Sequence, residues 1–182
     1  IPVRWSAHAQ TAAPYAIDPT WMARVDHVVK ACLEAKLTVV LNVHHYDEMD
    51  QAPAEHRERF AALWRQIAGH FADFPDELQF ELYNEPNTKH TASDWNLNLA
   101  AALKEVRRTN PTRAVQVGGA EWNQVYTLKD LRLPADDRHA VFRGDGGAER
   151  KSTIVANVGE RHEHAVYQTE VMAVLEADYL LA

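Results

Sequence analysis

Short apolar runs alternate with longer amphipathic stretches along most of this 182-residue chain, and that alternation restricts its fold more than any other feature. Leu37-Thr38-Val39-Val40-Leu41-Asn42-Val43 is almost continuously apolar and β-branched, the pattern of a strand covered on both faces. Two further runs, Leu78-Gln79-Phe80-Glu81-Leu82-Tyr83 and Ala114-Val115-Gln116-Val117-Gly118, read the same way, and Ile1 to Trp5 is a shorter one. Between them lie helical repeats. Asp18-Pro19 supplies an N-cap and a first-turn proline, and Met22, Val25, Val28, Val29, Cys32 and Leu33 follow at helical spacing. Phe60, Leu63, Trp64, Ile67 and Phe71 form a second stripe, closed by Pro75, and Trp95, Leu99, Leu103 and Val106 form a third over 92–108. The spacing predicts parallel strands at about 2–5, 38–43, 79–83 and 114–118, adjacent in that order.

Such βα units build either an open doubly wound sheet or a closed eight-stranded barrel. The open nucleotide-binding form carries a glycine-rich first turn, which this chain lacks. Polar residues instead collect after several strands: His44 and His45, then Asn84 and Glu85, then Glu121, Trp122 and Asn123. Chemistry spread over the C-terminal ends of several strands is the habit of a barrel enzyme. A complete barrel needs about 250 residues, so the expected fold is α/β, a partial (β/α)8 TIM barrel over 1–137. Residues 138–182 form a divergent tail whose only periodic stretch is a helix-like 164–181.

Charge and composition narrow the partners. With 19 basic and 26 acidic residues the net charge is −7 and no Lys/Arg run occurs, so neither nucleic acid nor an anionic membrane is an expected partner. No apolar run approaches the roughly 18–20 residues of a membrane span. Cys32 is the single cysteine, which excludes an internal disulfide and a cysteine-based zinc site. His44, His45, Asp47, Glu48 and Asp50 cluster, as do His162, Glu163 and His164, but neither group has the helical i, i+4 histidine pair of a zinc enzyme. They read as solvated loops, and no metal or cofactor is expected. Trp64 and Trp95 sit on apolar helix stripes as core residues, Trp5 is divided between core and sugar stacking, and Trp122, flanked by polar residues, leans towards an open groove.

The strongest chemical signal is Phe80-Glu81-Leu82-Tyr83-Asn84-Glu85-Pro86. A strand ending in Asn-Glu-Pro sets a carboxyl at the mouth of the sheet, beside an amide able to bond a hydroxyl. Glycoside hydrolysis needs such an acid, held partly dry so that its pKa rises and it can protonate the leaving oxygen. A carboxylate that merely opens the next helix would look the same.

Four segments together resemble glycoside hydrolase family 5, the cellulase family: Ile-Pro-Val-Arg-Trp-Ser at 1–6, Val-Val-Leu-Asn-Val-His-His-Tyr at 39–46, Phe-Glu-Leu-Tyr-Asn-Glu-Pro-Asn at 80–87 and Val-Gly-Gly-Ala-Glu-Trp-Asn at 117–123. The resemblance implies a (β/α)8 barrel that hydrolyses β-linked glucans or related polysaccharides with retention. It implies Glu85 as general acid/base, Asn84 on the 2-hydroxyl of the sugar being cleaved, and His44 lining the same subsite. Trp122 is expected to stack on the substrate, and a secreted or periplasmic location is expected. The polysaccharide is not specified by these residues.

The departures matter too. The family's active-site arginine would fall just before Ile1, and Arg4 is not its equivalent. After Asp137 the chain reads Arg138-His139-Ala140-Val141-Phe142-Arg143-Gly144, without the family's His and Tyr pair, and the nucleophile is unassigned: Glu149, Glu160, Glu163, Glu170 and Glu176 follow no credible strand. The expectation is a chain cut short at its start and divergent, or shifted in frame, near residue 140. The alternative is an inactive barrel remnant that binds glycans or self-associates through exposed sheet edges.

Overall fold

The structure is a computed structural model and describes residues 1–143, 153–157 and 166–168. Five parallel strands run side by side in chain order: β1 (Pro2–Val3), β2 (Val39–Val43), β3 (Leu78–Glu81), β4 (Val115–Gly118) and β5 (Ala140–Arg143). The helices α1 (Pro19–Glu34), α3 (Arg57–His70) and α4 (Ala92–Arg107) connect the first four, and the short α2 (Asp47–Gln51) follows β2. Parallel strands joined by helical crossovers bring all their C-terminal ends to one side. The expected order and direction are present, but β1 stops at Val3, because Trp5–His8 forms a 3-10 turn, and β3 stops at Glu81, two residues before the expected end.

Three differences from the sequence reading have physical causes. The strand β5 lies in what reads as the divergent tail, because Ala140-Val141-Phe142-Arg143 is short and carries no clear apolar period; its pairing with β4, Val115 opposite Ala140 through Gly118 opposite Arg143, makes it a strand. The loop after β2 contains α2, whose Met49 and Asp50 are buried. In the tail, β6 (Thr153–Asn157) pairs antiparallel with β5, and β7 (Val166–Gln168) antiparallel with β6. The second pairing replaces three residues of the helix expected over 164–181; the rest of that helix lies outside the described residues, as do His162, Glu163 and His164.

Alternation along the strands separates two faces. Val39, Leu41, Val43, Leu78, Phe80, Val115 and Val117 point one way and meet Phe60, Leu63, Trp64, Ile67, Trp95 and Leu99 of α3 and α4 in one core. Burying side chains of this size contributes about 1.5–3 kcal/mol each. The helices start where their caps dictate: the Asp18 carboxylate accepts from the N–H groups of Thr20 (2.7 Å) and Trp21 (3.3 Å), and the Thr91 hydroxyl accepts from Asp94 N–H (3.2 Å).

Three buried indoles tie this core to the strand ends. Trp5 Nε1 donates to the Asn42 carbonyl (3.0 Å), Trp64 Nε1 to that of Leu82 (3.0 Å) and Trp95 Nε1 to that of Gly118 (2.7 Å). Each carbonyl belongs to the last turn of backbone before a polar loop. Trp5 is thus a core residue, fully buried, like Trp64 and Trp95.

Candidate active site

The loop after β3 carries Asn84 and Glu85, both half-buried, because the chain leaves the sheet at Leu82 while still anchored to its neighbour by Asn84 N–H donating to the Val43 carbonyl (3.0 Å). Asn84 and Glu85 open onto a concave cleft of about 220 Å³ lined also by His45, Asp47, Asp50, Tyr83 and Asn87. Two other carboxylates, Asp47 and Asp50, line the cleft. Asp47 pairs with Arg4 (2.9 Å) at the surface. Asp50 accepts from the Tyr83 hydroxyl (2.8 Å), from Asn87 N–H and Nδ2 (each 3.2 Å) and faces His90 Nδ1 at 3.2 Å. A carboxylate so saturated works as an anchor of the 84–90 loop, and it corrects the solvated-loop reading of Asp50. Burial, reinforced by the neighbouring Asp50 carboxylate, pushes the Tyr83 hydroxyl far above the usual phenol range.

His44 is half-buried and follows Asn42 on the inner face by strand alternation. Its ring lies edge-on to His45, with centroids 4.2 Å apart. His45, and not His44, contributes to the lining of the Glu85 cleft. Burial pulls the His44 imidazole down to about 4, helped by His45 and Arg143. At neutral pH it is an uncharged hydrogen-bonding group.

Trp122 is half-exposed, and its N–H donates to the Pro86 carbonyl (3.1 Å), which ties the loop after β4 to the loop holding Glu85. Asn123, fully buried on the same turn, donates from Nδ2 to the Asn84 carbonyl. The structure therefore draws Asn84, Glu85 and Trp122 into one region.

The sequence reading passed over a second polar group. Glu81, the last residue of β3, is buried and accepts from Asn42 Nδ2 (2.8 Å) and from Arg143 Nη1. Burial raises its carboxyl above the ordinary range, against the pull of Arg143 and Asn42. A signal was available. A glutamate between Phe80 and Leu82 in a strand buried on both faces requires a cationic or amide partner. Among the described residues, no group of three or more His, Cys, Asp and Glu side chains is arranged to hold a metal ion, and no helix is long and apolar enough to cross a membrane.

Comparisons with known proteins agree with this geometry. The family model for cellulase, glycosyl hydrolase family 5, matches residues 1–143. Endoglucanase H of Acetivibrio thermocellus is 38% identical over 136 residues, covering 75% of this chain and 15% of that protein. Endoglucanase A of Ruminococcus albus is 37% identical over 156 residues, covering 75% of this chain and 43% of that one. Cel5A of Thermotoga maritima, solved with mannotriose and with cellobiose, superposes with a TM-score of 0.76 at 40% identity, over 78% of this chain and 46% of that one. The chain spans less than half the length of these relatives, so its five parallel strands correspond to part of their barrel. From the strand order to the Asn-Glu-Pro loop, the sheet and its sequence agree with one lineage, and the chain belongs to glycosyl hydrolase family 5, the cellulase family.

Proposed function

We propose that residues 1–143 carry the acid/base side of a retaining β-glycanase site that takes β-linked glucans or closely related β-glycans. The observation that carries this reading is Glu85: a half-buried carboxyl at the end of a parallel strand, opening onto a cleft beside the Asn84 amide. Glu85 protonates the departing glycosidic oxygen, and Asn84 bonds the 2-hydroxyl of the sugar being cleaved. Trp122 offers a flat apolar face to a sugar ring; neutral His44, which does not line the Glu85 cleft itself, would reach the same sugar from the neighbouring end of β2 without adding charge. The endoglucanases named above, and the cellobiose and mannotriose complexes of the Thermotoga maritima relative, support this substrate class.

Retention requires a second carboxylate about 5–5.5 Å from the first. Asp47 and Asp50 are engaged by Arg4 and by Tyr83, Asn87 and His90, which leaves neither as a nucleophile. Acid assistance alone gives about 10²–10⁴-fold, against the 10⁶-fold or more of complete enzymes. This polypeptide by itself therefore binds β-glycan oligosaccharides weakly and hydrolyses them feebly or not at all. Among the described residues the two other carboxylates of the cleft, Asp47 and Asp50, are already engaged, and that observation also supports a second reading, a glycan-binding barrel remnant.

Purified chain and its Glu85→Gln variant are assayed on a chromogenic β-cellobioside, with cellotriose binding measured in parallel. Binding without appreciable turnover is expected. Robust turnover abolished by the substitution would show a nucleophile elsewhere in the chain and overturn the impaired-activity reading. A chain that neither binds cellotriose nor turns over the cellobioside has no glycan site.

A further inference from the structure

Immediately after β4, three consecutive residues that are not glycine adopt the left-handed conformation: Glu121 (φ 54°), Trp122 (φ 58°) and Asn123 (φ 57°). This region costs an ordinary L-residue roughly 1–2 kcal/mol, and asparagine less. A run of three persists only where its surroundings dictate it, and such strain concentrates at functional sites.

The surroundings here are specific. Asn123 is fully buried, with its Nδ2 donating to the Asn84 carbonyl and its Oδ1 buried without a hydrogen-bond partner. The Trp122 N–H donates to the Pro86 carbonyl at 3.1 Å. These two bonds land on the residues immediately before and after Glu85. The Glu85 carbonyl accepts from Asn87 Nδ2 at 2.7 Å. Each carbonyl from Asn84 to Pro86 is therefore held by a donor from outside its own peptide unit.

The room for this brace is made by two glycines. A Cβ on Gly118 would fall 2.0 Å from Asn123 Oδ1, and one on Gly119 would fall 2.0 Å from Thr127 Oγ1. A Cβ at either position would have to displace the Asn123 or Thr127 side chain that closes the turn. The Thr127 hydroxyl lies 3.0 Å from the Ala120 carbonyl and 2.6 Å from that of Gln124, closing the turn on its far side. The unbonded Oδ1 has a further implication. An amide buried at the cost of one unsatisfied acceptor is retained for its donor, and only the carboxamide N–H can meet a carbonyl at that place.

We infer that Asn123 is a positioning residue: the left-handed turn at 121–123 braces the Asn84-Glu85-Pro86 peptide, through the Asn123 side chain and the Trp122 N–H, and thereby sets where the Glu85 carboxyl points. The inference rests on the reading of Glu85 as the acid/base. It predicts a division of labour within the turn. Asn123 governs the Glu85 environment, whereas Glu121, which bears strain but makes no bond to that peptide, does not.

The test uses the full chain with Asn123→Gly, Asn123→Asp and Glu121→Gly, each checked for folding by thermal denaturation. Glycine keeps the left-handed backbone and removes only the amide; aspartate keeps the shape and removes the donor. Two properties are read: the Glu85 carboxyl titration by carbon NMR, assigned by loss of its signal in Glu85→Gln, and the dissociation constant for cellotriose. In Asn123→Gly the Glu85 titration midpoint and the Asn84 and Glu85 amide signals should move, and cellotriose should bind roughly threefold to tenfold more weakly, the worth of one hydrogen bond. Asn123→Asp should match it at neutral pH and return towards wild type once the new carboxyl is protonated and again has a donor. Glu121→Gly should leave both properties unchanged. If Asn123→Gly does not fold, the near-isosteric aspartate variant gives the same reading. A folded Asn123 variant with the Glu85 midpoint and amide signals at wild-type positions overturns the inference. If the wild-type chain binds no cellotriose, the glycan-site reading falls, and the Glu85 signals still decide the brace.

Discussion

The two faces of the parallel sheet are buried by different means. Towards α3 and α4, Leu41, Phe80, Val115 and Val117 meet aromatic and aliphatic side chains, and the interaction is one of shape. On the inner face Asn42, Glu81 and Gln116 are also nearly inaccessible, yet Glu81 is held by Asn42 and Arg143, and Gln116 donates to Gln79 Oε1 (3.1 Å). The apolar side tolerates changes that conserve volume; the polar side tolerates only changes that conserve partners. The same division runs into the site. The indoles of Trp5, Trp64 and Trp95 fix where the strands end, while hydrogen bonds accepted by Asp50 and donated by Asn87 and Asn123 fix how the Glu85 loop leaves them.

The contrast can be broken first on the apolar side. Phe80 is fully buried, packs against Trp64 with ring centroids 5.4 Å apart and lies under the Arg113 guanidinium at 5.2 Å. Phe80→Ala should lower unfolding free energy by about 3–5 kcal/mol in a denaturant titration. A loss below about 1 kcal/mol would show that this face is loosely packed.

On the polar side, Arg143→Met strands Glu81 as a buried unpaired carboxyl and should cost about 3 kcal/mol. The double change Glu81→Leu with Arg143→Met removes both charges and should recover most of that loss. If the double variant is as unstable as the single, the pair contributes by packing and the distinction between the faces fails.

A smaller effect separates the faces by pH. Folded His44 is held near 4 and the unfolded chain has the ordinary 6.5, so between these values the unfolded state binds more protons. Stability contributed by neutral His44 is therefore complete above about pH 6.5 and is lost as pH falls towards 4. Melting temperatures measured across this window should fall more steeply for wild type than for His44→Gln; equal slopes would place His44 in water.

The smallest change is expected outside both faces. Arg65 pairs with Glu105 at 2.9 Å across α3 and α4, with the arginine more than half exposed. Arg65→Ala should cost less than about 1 kcal/mol, and less still at high salt.

Local features were legible because their causes are local. The Asp18-Pro19 start of α1, the stripes of α3 and α4 and the strand runs at 39–43, 78–81 and 115–118 depend on caps and on periodicity within one segment. The Asn84-Glu85-Pro86 loop was legible because a strand end carries its polar residues in sequence order. Charge misled in the other direction. Asp50, Arg59 and Arg113 look like surface residues, yet all three are buried. Arg59 bonds the carbonyls of Ser6, Ala9 and Gln10, which lie about fifty positions earlier, and Arg113 bonds those of Phe71, Phe74, Pro75 and Leu78.

By itself, then, the sequence determined the βα alternation, the parallel order of four strands and the residues that stand at their ends, because apolar period, caps and turns act over a few neighbouring positions. Only the tertiary structure decided that 140–143 is a strand, that Glu81 and Arg143 are partners 62 residues apart, and that Asn123 reaches the Asn84 carbonyl 39 residues away. A buried charge or amide declares its need in the sequence, but nothing in the segment around it names the partner; that is settled when distant strands meet and water leaves.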